Sequence, residues 1–186
     1  GNNGPLLIHA CTDSVLISTA ATALVVPIST LAAFSLGRLN FKRREDVAFF
    51  FLSLYMFPPI IPVIPIWIMA NELGLFDTYV YIIPVLAYFQ IPFTIWLLRG
   101  FFHEVPKEIE EAALIDGCSR LSALVRVILP LARTGIAVAA VFSFVFTWNE
   151  FLLTAMLSEK NVLTLPILVA KQSTQFYIPW GQVTAI

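Results

Sequence analysis

The chain has 186 residues, 59% of them hydrophobic and 12% charged, with a mean hydropathy of +0.85. A soluble domain is roughly 45–50% apolar and about 25% charged, so the charge here is too sparse to coat a water-facing surface, and a soluble enzyme or a disordered tail is a poor fit. With 11 Lys and Arg against 12 Asp and Glu the formal net charge is -1, which leaves no basic field to hold a nucleic acid.

Charge-free runs of 24, 25 and 21 residues lie between Asp13 and Arg38, Asp46 and Glu72, and Asp77 and Arg99. Each exceeds the 18 or so residues that mark a membrane span, since about 20 residues rising ~1.5 Å apiece cross a ~30 Å hydrocarbon core. They predict helices over about 14–36, 47–70 and 79–98. A fourth run of 16 residues, Thr134 to Asn149, predicts a span over about 132–157 with Glu150 at the far interface.

The first span offers small residues, Ser18 to Ala23, that allow close helix approach. In the second, Pro58, Pro59, Pro62 and Pro65 each remove a backbone donor, so it cannot be one straight helix. Pro27, Pro84 and Pro92 also fall inside spans. Either packing absorbs such bends or they shape a solute pathway.

Basic residues orient the helices. Loop 37–46 carries Arg38, Lys42, Arg43 and Arg44, and stretch 99–133 carries Arg99, Lys107, Arg120, Arg126 and Arg133, nine of the eleven in all. Loop 71–78 has none and 158–178 has Lys160 and Lys171, so the first two stretches are expected inside and the others outside. Cys11 and Cys118 then lie on opposite sides of the bilayer, as small structural residues with no disulfide between them. Residues 1–13 fall outside although Gly1 is no initiator, and Pro179 and Trp180 resemble the outer edge of another span. The expectation is four complete helices plus the start of another, truncated at both ends.

The stretch 99–131 departs most from lipid-like composition. Pro106 suits a first helical turn, Glu108, Glu110 and Glu111 suit its positive end, and Gly117 suits a left-handed stop. Ser119 is placed to cap a second helix, where Leu121, Leu124, Val125, Ile128 and Leu129 share one face and Ser122 and Arg126 the other, until Pro130 interrupts the bonding. Ala112 and Ala113 leave a low profile amid charge. Physics allows either a membrane-surface helix or a docking knob for a cytosolic partner.

Glu111-Ala112-Ala113, three residues, Gly117, nine residues and then Val127-Ile128-Leu129-Pro130 closely resemble the EAA loop of binding-protein-dependent ABC importer permeases. The family usually has Ile where Val127 stands. The wording from Pro106 to Pro130, with Trp148-Asn149-Glu150-Phe151 and Leu163-Thr164-Leu165-Pro166, is similar to the carbohydrate, maltose-type branch. The resemblance implies an all-α, polytopic fragment of a six-helix permease core, one transmembrane domain over 1–186 in the cytoplasmic membrane. It further implies a second permease, two cytosolic ATP-binding subunits that hold ATP and Mg, and an extracytoplasmic solute-binding protein. On it, Glu111, Ala112, Ala113 and Gly117 make the coupling contact, and Asp116, Val127, Leu129 and Pro130 support its shape.

The chain's own chemistry agrees that energy comes from elsewhere. No G-x-x-x-x-G-K motif, no serine nucleophile elbow and no histidine pair on one side of the membrane occurs, so no catalytic residue, metal site or cofactor is expected here. An ion-coupled carrier or a non-transporting scaffold are the alternatives, but the first three spans hold none of the ionisable groups that ion coupling uses. Asn149 and Glu150 have two readings, an interfacial pair or a hydrogen-bonding site for sugar hydroxyls. Aromatics such as Phe57, Tyr81 and Tyr88 suit packing or stacking on sugar rings, and the outer turn 71–77 is a candidate contact for the binding protein. Whether the solute is a disaccharide, monosaccharide, polyol or glycerol phosphate stays open.

Overall fold

A ~30 Å apolar layer demands helices whose backbone bonds are satisfied internally, and the computed structural model, which describes residues 4–39 and 41–173, contains no strand among them. The expected further span at Pro179 and Trp180 lies outside the described residues.

Helix α1 (Gly4–Arg38) has 35 residues, about 52 Å at ~1.5 Å per residue. Its buried face mixes small and large side chains, with Ile17, Val25, Phe34 and Leu36 buried among small ones. Leu16, Leu24, Ile28 and Leu31 are exposed, while Ala10, Ser14, Ser18, Ala21, Ser29 and Ala33 are buried. The small and hydroxyl residues among them let neighbouring helices approach closely.

The second predicted span, 47–70, is divided into α2 (Arg44–Tyr55) and α3 (Val63–Glu72), with 12 and 10 residues. Neither alone reaches across ~30 Å. Proline is the cause: Pro58 and Pro59 lack an N–H and push the preceding residue out of helical geometry, and the chain turns there, with Ile61 N–H bonded to Pro58 C=O at 3.1 Å. Pro62 caps α3 and Pro65 sits in its first turn, where a missing donor costs no helical bond.

Helix α4 (Tyr79–Glu104), 26 residues long, runs past the expected end at residue 98 and passes through Pro84 and Pro92 without a break. There follow α5 (Lys107–Ile115), α6 (Arg120–Ala123), a π-helical turn (Leu124–Ile128), α7 (Leu129–Leu131) and α8 (Arg133–Asn149). The expected span 132–157 is corrected: α8 stops at Asn149, and α9 (Leu152–Leu157) and α10 (Leu165–Ser173) are separate helices. By length and composition α1 and α4 suffice to cross a membrane. A third span is reached when Arg120–Leu131 and Arg133–Asn149, bent by 80°, count together.

The described residues group into two compact units, the first drawn from within Gly1–Thr22, Pro58–Ala87 and Phe144–Ile186, the second from within Ala23–Phe57 and Tyr88–Ser143. Ile17, Ile82, Leu153, Leu157 and Val162 are buried in the first. In the second, Phe34, Leu98, Phe102, Leu124, Ile128 and Ala139 belong to one apolar cluster, with Phe34 and Phe102 edge to face at 6.3 Å.

Candidate functional site

The helix pair of residues 107–131 belongs to the second unit. Pro106, extended at φ -58° and ψ 138°, is the residue just before α5, not inside its first turn as the sequence suggested. Its fixed φ and absent N–H end the preceding segment. Glu108 and Glu110 occupy the first turn of α5, where carboxylates complement the helix dipole.

Gly117 stops α5 at φ +86°, a conformation glycine adopts without the strain a Cβ brings. The stop is sealed by Gly117 N–H to Leu114 C=O at 3.1 Å and Cys118 N–H to Ala113 C=O at 3.0 Å. Ser119 is extended, and its Oγ accepts the Ser122 N–H at 3.2 Å, the expected cap. Within the π turn the Leu129 N–H bonds Leu124 C=O. Pro130 then supplies no donor, and the chain bends at Ala132.

Glu111, Ala112, Asp116 and Gly117 are exposed. Ala113 is only 8% exposed, so the expected low-profile alanine pair divides, one facing out and one in. Val127 and Leu129 are half-buried and Pro130 is exposed. The predicted apolar face also divides: Leu124 and Ile128 are buried, but Leu121 and Val125 are exposed. A π turn advances fewer degrees per residue than an α turn, so the i, i+3, i+4 register slips at that point. Ile115, at the end of α5, is 85% exposed.

Asn149 and Glu150 belong to the first unit and are used locally. Asn149 Nδ2 donates to Val145 C=O at 2.7 Å, and Glu150 Oε1 accepts the Leu153 N–H at 3.0 Å, starting α9.

Sequence reading missed three charged groups. Arg38 was used only for orientation, yet its side chain is 2% exposed, donates to Phe102 C=O at 2.5 Å and to Val105 C=O, and pairs with Glu110 at 3.7 Å. Asp77 accepts four backbone N–H groups, from Glu159, Lys160, Asn161 and Val162, at 2.8–3.1 Å. Burial pushes its carboxyl up, but those donors outweigh burial and hold it below the ordinary aspartate range. Asp13 accepts the Tyr79 hydroxyl and the Leu163 N–H, both at 2.8 Å. Two buried carboxylates thus hold residues 159–163, and the Ser14 hydroxyl accepts the Leu165 N–H at 2.9 Å. The one available signal was that Asp13 and Asp77 begin charge-free runs.

Membrane-length helices and an exposed, capped helix pair define the class: a multi-pass membrane component, helical throughout its described residues. The chain belongs to the binding-protein-dependent transport system inner membrane component family, which its residues 25–186 match. It is 35% identical over 175 residues to the inner membrane ABC transporter permease protein YcjP of Escherichia coli K12, covering 93% of this chain and 62% of that one. To the trehalose transport system permease protein SugB of Mycobacterium tuberculosis it is 35% identical over 185 residues, 98% of this chain and 68% of that one. The chain therefore spans about three fifths to two thirds of the length of these relatives. A crystal structure of a bacterial ABC transporter involved in the import of the acidic polysaccharide alginate matches with a TM-score of 0.67 at 22% identity, over 92% of this chain and 63% of that one. That likeness supports the helical fold.

Proposed function

We propose that this chain is the permease subunit of an ATP-driven importer, forming with a second permease the pathway for a sugar or related polyol. ATP and Mg are held by two cytosolic subunits, and a solute-binding protein delivers the solute from outside. The observation that carries the coupling role is the exposure of Ile115, Leu121 and Val125 on a short helix pair that also presents Glu111, Ala112, Asp116 and Gly117. Large apolar side chains left in water mark an interaction surface, and the EAA pattern directs the reading to an ATPase cleft. Glu111, Ala112 and Gly117 make that contact, while Ala113, Val127, Leu129 and Pro130 hold its shape.

The finer topology belongs to the same proposal. Four spans cross the bilayer, the second formed by α2 and α3 together and the fourth centred on α8, with loops 37–46 and 99–131 inside. Asn149 and Glu150 face the pathway with the hydrogen-bonding capacity that their local bonds leave. The trehalose named for SugB makes a disaccharide the first solute to test.

Co-purification from membranes tests the reading. The complete permease is expected to bring its ATPase with it, and deletion of residues 105–118 to abolish that while leaving the chain in the membrane. Glu111→Lys and Gly117→Asp are expected to accumulate normally but to lose solute uptake, assayed with trehalose, maltose and glycerol. Full uptake by both variants would remove the coupling assignment.

A further inference from the structure

Four basic residues lie in loop 37–46, but only one is buried. Lys42 and Arg43 are exposed and Arg44 is half-buried, whereas the Arg38 side chain is 2% exposed and Glu110 opposite it 13%. Arg38 is the last residue of α1. Its guanidinium reaches Phe102, in the last turn of α4, and Val105 just beyond. The closing carbonyls of a helix have no donor within it, so one side chain caps α4 from another helix 64 residues away in sequence.

The third contact differs in kind. Glu110 Oε2 stands 3.7 Å from the guanidinium, beyond hydrogen-bonding range, so attraction to α5 is electrostatic and not strongly directional. The two long helices are gripped by short bonds and α5 by a longer tether. Static stability alone is a weak reason for such a pair, because a buried ion pair is often no more stable than apolar packing. Arg38 Nε is buried without a partner in this conformation, a donor that a second arrangement could use.

We propose that Arg38 and Glu110 are positioning residues, a latch through which movement of α5 is passed to the C-terminal ends of α1 and α4. The proposal rests on the reading of residues 107–131 as the ATPase-coupling element.

The test uses the complete importer in proteoliposomes, with partner permease, both ATPases and binding protein, and reads trehalose, or whichever panel sugar is transported, moved per ATP hydrolysed. Glu110→Gln keeps the side-chain shape and leaves Arg38 on its two carbonyls. Co-purification of the ATPase is expected to be unchanged, hydrolysis to continue, and solute moved per ATP to fall about fivefold or more, the low end of ordinary coupling between sites. Glu110→Asp, which keeps the charge, is expected to recover part of the loss. Arg38→Gln should lose at least as much as Glu110→Gln, and the double variant no more than Arg38→Gln alone. If Glu110→Gln does not accumulate, Arg38→Lys carries the same test, since it keeps the charge but loses the planar fork.

An unchanged ratio in an assembled Glu110→Gln complex, or losses that multiply in the double variant, would overturn the latch. Gly117→Asp, run alongside, separates the two readings. If it uncouples while Glu110→Gln does not, only the latch fails, and if it stays fully coupled the coupling reading itself fails.

Discussion

Asp77 shows how much one side chain can organise. Its carboxylate takes the N–H groups of four successive residues, 159–162, and its own N–H bonds Leu157 C=O at 3.1 Å. Asp77→Asn replaces one accepting oxygen with a donor that faces donors, and each buried donor left unpaired costs about 1–3 kcal/mol. The expected outcome is a lower midpoint in thermal unfolding of the solubilised protein and faster hydrogen exchange confined to 158–165. The pH dependence has a definite sign. A carboxyl whose folded value lies below its ordinary 3.8 contributes its full stability above that value and loses it as pH falls through the folded one. Stability measured from pH 6 downward should therefore fall more steeply in the native protein than in Asp77→Asn, and equal slopes would count against the anchor. Some of this residue-scale detail was legible: Gly117 and Ser119 take the conformations their chemistry implies, because stop and cap depend on neighbours within three or four residues. Asp77 was not, because its partners lie 82–85 residues away and no local pattern encodes them.

Among elements, the middles of helices were easier to read than their ends and breaks: α1 begins at Gly4, ten residues before the expected start at 14. The charge-free runs located α1, α4 and α8 because exclusion of charge is a property of the whole segment. The division of α2 from α3 was readable only as a bend, since proline forbids a straight helix without saying whether the chain kinks or turns. The π turn was invisible: the pattern from Leu121 to Leu129 fits an α-helix, and only the bond from Leu129 to Leu124 shows the wider turn. Close packing was equally hidden. A Cβ on Gly135, near the start of α8, would stand 2.6 Å from Phe101 Cβ on α4, an atom fixed to its helix and not the tip of a flexible chain. Gly135→Ala must therefore push α8 and α4 apart or displace the Phe101 ring. Overpacking of this kind costs about 1–3 kcal/mol, so the variant is expected to melt at lower temperature. An unaltered melting curve would mean that these helices separate freely.

For the whole molecule the proposed orientation rests on the scarce charge, and that orientation decides which surfaces can meet which partners. A coupling element must face the cytosol, where ATP is. On the proposed topology, nine of eleven basic residues in the stretches 37–46 and 99–133 assign the 107–131 helix pair to the cytosolic side, and the same rule assigns 158–165 to the outside. Two thiols test both halves of that statement. Cys118 lies at the turn of the helix pair and is half-exposed, and Lys160, whose side chain is exposed, donates only its backbone N–H to Asp77, so Lys160→Cys leaves the anchor intact. With Cys11 replaced by serine, a membrane-impermeant maleimide applied to intact cells is expected to spare Cys118. Applied to the same background with Cys118 also replaced, it is expected to label Lys160→Cys. Permeabilised cells should label Cys118 as well, and assembly with the ATPase should protect it, because the exposed Ile115 and Gly117 beside it are then covered. Labelling of Cys118 from outside would invert the topology and, with it, every role assigned to the helix pair.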